Sequence, residues 1–157
     1  MRFEEFVCFE ATIPQLEATD RDSAITELVS ALVRAGKIGT ESAKEVTKAV
    51  IRRENEASTG MGKGVAVPHV KHAAVKNVVA AVGHSNTGID FASLDEQLVY
   101  SVILLISPVN NPDKHLQAME NVFRHLQKEK FRKFLRQCRT PPELEDLLKE
   151  ADENPSW

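Results

Sequence analysis

Residues 58–72 read Ser58-Thr59-Gly60-Met61-Gly62-Lys63-Gly64-Val65-Ala66-Val67-Pro68-His69-Val70-Lys71-His72. The stretch joins a glycine-rich turn, a very short apolar strand and a histidine that directly follows a proline. Three of the chain's seven glycines lie between positions 60 and 64, so the backbone there can reach positive φ and turn its N–H groups toward a ligand. Val65-Ala66-Val67 is enough apolar strand to anchor the loop in a core. Pro68 fixes its own φ and biases Val67 to an extended conformation, which predicts that the strand ends there and that the backbone entering His69 is held. His69 is therefore the candidate reactive group.

Outward from this stretch, the pattern alternates between helical and strand periods. On the N-terminal side, Ala11 to Leu16 predicts a short edge strand interrupted at Pro14. Asp20 and Asp22, followed by Ile25, Leu28, Val29, Leu32 and Val33, predict a helix that Gly36 stops. Thr40 reads as the N-cap of a second helix, with Val46, Ala49 and Val50 on its apolar stripe and Arg52 and Arg53 at its C-terminal end. On the C-terminal side, Val75 to Val82 predicts a strand, Asn86-Thr87-Gly88 a turn, and Ile89 to Phe91 a short strand. Leu98 to Ile106 is apolar on both faces and rich in β-formers, as a central strand is.

Pro108 to Pro112 breaks that strand, and Asp113 is the expected cap of a third helix. His115 falls in its first turn, and Leu116, Met119 and Phe123 form a stripe read as core rather than as a cofactor site. Two shorter helices follow, one around Phe131, Phe134 and Leu135, the other started by Thr140 and Pro141. Together these elements predict an α/β sandwich, a mixed β-sheet flanked by helices, in one domain over residues 1–157 with a loose tail at 154–157.

Composition sets limits on the partners. The chain has 157 residues, 42% hydrophobic and 27% charged, with a net charge of −3. Interspersed signs give no footprint for nucleic acid or an anionic membrane. No apolar run approaches the roughly twenty residues that span a bilayer, and Glu4, Glu5 and Glu10 are at odds with a signal peptide. Cys8 and Cys138 alone suit reduced thiols in a cytoplasmic protein.

Three chemistries compete for the quoted stretch. A nucleotide-binding P-loop fails on spacing, because Lys63 is followed by Gly64 rather than by a hydroxyl residue, and the loop precedes its strand. A metal centre would need His69 and His72 to converge, with His84 and His115 folding nearby, yet no metal-ligand spacing is present, and neither a metal nor another cofactor is expected. A histidine that itself carries a phosphoryl group fits better, since neutral imidazole is a nucleophile near pH 7. Such a site needs cations and N–H donors, for which Arg53, His115 and the Thr59, Gly60, Gly62 and Gly64 segment are the candidates, with Glu54 and Lys63 as weaker ones.

Arg53-Glu54, Ser58-Thr59-Gly60-Met61-Gly62 and Val65-Ala66-Val67-Pro68-His69 resemble, in order and spacing, the active-site signature of the type-2 enzyme IIA domains of the bacterial phosphotransferase system. That group comprises the fructose, mannitol and nitrogen-regulatory proteins. Gly88-Ile89-Asp90-Phe91, Leu104-Leu105-Ile106-Ser107-Pro108 and Asp113-Lys114-His115-Leu116 extend the resemblance over nearly the whole chain. It implies that His69 is phosphorylated on Nε2 by the phosphohistidine of HPr or a paralogue, with Arg53 and His115 as active-site partners. It implies onward transfer to a cysteine of a IIB domain or, on the nitrogen-regulatory pattern, phosphorylation-dependent docking to a regulatory target. A third reading is an interaction domain without transfer. Val70 departs from the small residue that usually follows the active histidine, and is expected to narrow access or alter partner choice.

Overall fold

In the computed structural model, which describes residues 1–154 and 156, one strand organises the sheet. The elements in order are α1 (Phe3–Phe6), α2 (Arg21–Arg34), α3 (Ala43–Glu56), β1 (Gly60–Gly62), β2 (Val65–Ala66), β3 (His69–Lys71), β4 (Val79–Ile89), β5 (Val99–Ser107), α4 (Pro112–Leu126), α5 (Glu129–Gln137) and α6 (Pro141–Glu153). β5 pairs antiparallel with β4 along one edge and parallel with β2 and then β3 along the other, while β1 folds back on β2. The expected mixed sheet flanked by helices is present, with β5 at its centre.

Alternation along β5 divides the core. Val102, Leu104 and Ile106 pack with α2 and α3 on one face; Ile103 and Leu105 pack with α1, α4, α5 and α6 on the other. β2 and β3 meet β5 in one unbroken register, Val65 opposite Ser101 and His69 opposite Leu105. Pro68 thus interrupts the strand without ending it as expected: it donates no N–H, but its carbonyl accepts from Leu105 N–H at 2.9 Å and the ladder resumes at His69.

The helix signals translate directly in two places. Asp20 accepts from Ser23 N–H at 2.8 Å to start α2, and Thr140 accepts from Glu143 N–H at 3.3 Å ahead of Pro141 to start α6. Elsewhere the boundaries move. Thr40 opens a 3₁₀ turn rather than capping α3, which continues past Arg53 to Glu56. Asn111, not Asp113, caps α4 by accepting from Lys114 N–H, and Pro112 occupies the first helical position.

The strand expectations need three corrections. Ala11 to Leu16 is not a strand: a 3₁₀ turn at Phe9–Ala11 and Pro14 leave it only an isolated bridge from Ile13 to Gly83. The strand placed at Val75 begins at Val79. Asn86-Thr87-Gly88 is no turn, because β4 runs through it to Ile89; the register shifts between His84 and Ile89, and Gly88 at φ 88° absorbs the irregularity. Of the expected tail, Pro155 and Trp157 lie outside the described residues.

Candidate active site

His69 opens β3, and the period of two sets it on the face of Val65 and Val67, the face that α4 covers. Its Nδ1 lies 2.7 Å from the Val67 carbonyl. A carbonyl only accepts, so Nδ1 carries the proton and Nε2 keeps its lone pair, with no partner among the described residues. Burial is the largest influence on the ring and lowers its pKa; the Val67 bond opposes this, Arg53 adds to it, and Glu54 opposes it. The ring is neutral near pH 7.

His115 reaches the same place from the N-terminal turn of α4. The two imidazole centroids are 5.8 Å apart, with their planes at 42°. His115 Nδ1 lies 2.6 Å from Ser107 Oγ at the end of β5. Burial, then the repulsion of His69 whenever that ring is protonated, and the charge of Lys71 push its pKa down to about 4. Two adjacent imidazoles do not both protonate at neutral pH, so this pair supplies neutral nitrogen chemistry.

Arg53 and Glu54 leave the last turn of α3 with different tasks. Arg53 is half-buried and donates to the Ala57 carbonyl at 3.1 Å, close enough to His69 to influence its charge. Glu54 is 2% exposed, and its carboxylate accepts from Thr59 N–H at 2.7 Å and from the Thr59 hydroxyl. It does not sit in solvent; it ties the end of α3 to the start of β1.

Thr59 and Gly60 are not presented to the ring as free donors. Thr59 N–H is bound to Glu54, and Gly60 N–H to Ser58 Oγ at 3.0 Å. Gly62, Lys63 and Gly64 form the positive-φ tip of the β1–β2 hairpin, where Lys63 N–H bonds Asp95 at 2.9 Å. The Gly64 carbonyl accepts from Tyr100 and Ser101, five strand residues or about 16 Å from the Leu105 that pairs with His69. Of the segment expected to cradle phosphate, Thr59 and Gly60 thus bond within the fold, while Gly62, Gly64 and exposed Lys63 lie at the hairpin tip.

Other residues also sit differently from expectation. Val70 packs toward the α2–α3 cluster, the opposite face from His69, so it does not crowd the ring. Leu116 is 57% exposed beside His115, whereas Met119 and Phe123 pack on the core as read. His72 and His84 do not join the imidazole pair: His72 is half-buried and its Nδ1 accepts from Ala74 N–H, and buried His84 faces Arg139 through Nε2 at 3.3 Å. Sequence reasoning gave no role to Ser107 or Lys71. The signal was there in the alternation from Leu105 to Ser107, which puts the hydroxyl on the His69 face.

Residues 7–151 match the family described as the phosphoenolpyruvate-dependent sugar phosphotransferase system, EIIA 2. The chain is 31% identical over 85% of its length to a fructose-specific EIIA component of Haloferax volcanii, covering 85% of that protein. It is 28% identical over 94% of its length to a nitrogen regulatory protein of Bradyrhizobium diazoefficiens, covering 95% of it. Over 97% of its length it is 30% identical to a fructose-specific EIIABC component of Bacillus subtilis, but spans only 24% of that longer protein. Among solved structures, the nitrogen regulatory protein IIA-Ntr of Neisseria meningitidis superimposes with a TM-score of 0.82 at 24% identity, over 92% of this chain and 97% of that one. The mannitol IIA of Escherichia coli, in complex with phosphorylated IIB, does so at 0.73 and 21% identity, over 90% of this chain and 95% of that one. Matched over most of its length by the family and by a full-length relative alike, the chain belongs to the type-2 EIIA family of the phosphotransferase system.

Proposed function

We propose that this chain, as one domain over residues 1–157, is a cytoplasmic phosphoryl carrier that accepts a phosphoryl group on His69 Nε2 from the phosphohistidine of an HPr-like protein and passes it to a IIB cysteine. The observation that carries this reading is the 2.7 Å bond from His69 Nδ1–H to the Val67 carbonyl, which leaves a neutral ring with its lone pair on Nε2. In the accepting step the Nε2 lone pair forms the new N–P bond, and the donor's nitrogen leaves with the electron pair of the bond it loses. Positive charge that develops on the His69 ring is stabilised by the Val67 carbonyl through Nδ1–H. Arg53 and His115 are the groups beside the ring suited to the phosphoryl oxygens. In the return step a cysteine thiolate attacks phosphorus and His69 Nε2 leaves with the electron pair.

Delivery between proteins calls for exposed apolar surface at the heart of the contact, next to the reacting ring. Leu116, immediately after His115, and Val109, between Ser107 and the α4 cap, are each 57% exposed and suit that use. The mannitol IIA structure with phosphorylated IIB supports a IIB partner. A second reading is supported by the likeness to a nitrogen regulatory protein, 28% identical over 94% of this chain. On that reading phosphorylation of His69 changes docking to a regulatory target.

Incubation with phosphoenolpyruvate, enzyme I and HPr tests both. The expected result is an acid-labile adduct that is absent from His69→Ala. No adduct, under conditions that phosphorylate a control IIA, removes both readings and leaves an interaction domain. Onward transfer to a IIB separates carrier from regulator.

A further inference from the structure

Ser107 ends β5 with no exposed surface. Its carbonyl accepts from His72 N–H at 2.8 Å, and among the described residues its Oγ meets one polar atom, His115 Nδ1, at 2.6 Å. A buried hydroxyl hydrogen needs an acceptor, and water does not reach this one. His115 Nδ1 is the acceptor on offer, so the Ser107 O–H donates and Nδ1 is bare. A neutral imidazole carries one N–H, which therefore sits on Nε2. The pKa of about 4 keeps His115 in that neutral state.

His69 has the opposite arrangement. The Val67 carbonyl cannot donate, so Nδ1 holds the proton and Nε2 the lone pair. Two rings 5.8 Å apart thus carry complementary tautomers, one set by a backbone carbonyl and the other by a side-chain hydroxyl. The fold makes both choices with the same device: Val67 and His69 on one strand, and Leu105 and Ser107 on its neighbour, share the face that α4 covers.

We propose that Ser107 is a positioning residue that fixes His115 as its Nε2–H tautomer, so that the site presents one nucleophile and one hydrogen-bond donor instead of two competing lone pairs. The proposal rests on the phosphoryl-carrier reading above. While the His69–phosphorus bond forms and the donor's N–P bond breaks, His115 Nε2–H donates a hydrogen bond to a phosphoryl oxygen and keeps its proton. Ser107 touches neither the phosphoryl group nor His69.

The test is two-bond ¹H–¹⁵N correlation on the full chain with ¹⁵N-labelled histidine at pH 7.5, which reads the protonated nitrogen of each ring. The expected result is Nδ1–H for His69 and Nε2–H for His115. In Ser107→Ala, His115 populates both tautomers and acceptance from phosphorylated HPr slows by about tenfold, the low end of the scale found for outer partners of metal-ligating histidines. Ser107→Thr retains the hydroxyl and restores both readouts. A wild-type His115 protonated on Nδ1 overturns the proposal, and that measurement stands whether or not the alanine variant folds. A Ser107→Ala variant that keeps the Nε2–H tautomer, at any rate of transfer, overturns it as well. The tautomers are read without a phosphoryl donor, so a chain that shows both yet forms no adduct refutes the carrier reading and upholds the link from Ser107 to His115.

Discussion

The hairpin tip around Gly62, Lys63 and Gly64 and the strand that opens at His69 are adjacent in sequence, but their polar groups face different things. At the tip, the Lys63 N–H and the Gly64 carbonyl bond within the fold, to Asp95 and to Tyr100 and Ser101. At His69 one ring nitrogen is bound internally, and the other has no partner among the described residues. A region whose hydrogen bonds close on themselves is built to hold shape. One that leaves a nitrogen lone pair without a partner is built to react. On the proposed function the difference gives the chemistry to the imidazole pair and a scaffold role to the glycines, although both belong to one sequence signature.

The largest expected effect that sharpens this contrast, after loss of His69 itself, is at its neighbour. His115→Ala removes the donor beside the reactive ring, and a single preorganised donor to a developing anion is worth on the order of a hundredfold in rate. Stopped-flow acceptance from phosphorylated HPr should show that loss, with the adduct still forming at long times. An unchanged rate would remove His115 from the reacting centre and weaken the division between the two regions. The pH series has a defined sign: burial lowers the His69 pKa below 6.5, so the neutral nucleophile persists to pH values below 6.5 and acceptance falls only as the ring protonates. An acid limb centred above 6.5, matched by an NMR titration of His69, would contradict the burial seen here.

Glu54 joins the two regions, which makes it the next place to break the contrast. Its carboxylate is buried and holds both donors of Thr59, just ahead of β1, while Arg53 next to it influences His69. Glu54→Ala leaves a buried N–H and hydroxyl without an acceptor, a loss of about 2–3 kcal/mol. Urea unfolding should show it as a lower midpoint with an unchanged slope. Glu54→Gln keeps one acceptor oxygen and should recover part of the loss. Equal stability for all three proteins would mean that Thr59 finds other partners and that α3 is not tied to the hairpin in this way.

Local signals carried most of the helices and singled out His69 as the candidate. Asp20, Gly36, Thr140 and Pro141 act on their own turns, so their meaning does not depend on the rest of the chain. Residues whose role depends on a distant neighbour were harder to read. Pro68 signals the end of a strand because its effect on the backbone is local, whereas the resumption of pairing at His69 is dictated by β5. Gly88 signalled a turn, since positive φ serves turns and bulges alike, and only pairing with β5 distinguishes them. Glu54 and Leu116 show the same limit: a charged residue at a helix end and a leucine in an apolar stripe give no hint that the first is buried and the second exposed.

The smallest expected effect completes the contrast from the scaffold side. Gly64 has φ 81°, a conformation that an L-residue adopts at a cost of about 1 kcal/mol. A Cβ added there meets the Tyr100 ring at 3.4 Å, an ordinary contact, so strain rather than collision sets the loss. Gly60 is different: its φ is not positive, but an added Cβ runs into Ser93 Oγ and approaches the Ser93 backbone at 3.1 Å. Gly64→Ala should therefore lower stability by about 1 kcal/mol and Gly60→Ala by more, in keeping with overpacking costs of about 1–3 kcal/mol. Both variants, assayed at a temperature where they remain folded, should accept a phosphoryl group at close to the wild-type rate. If Gly64→Ala slows acceptance tenfold while remaining folded, the hairpin tip takes part in the transfer, and the separation between the closed and the open halves of this stretch no longer holds.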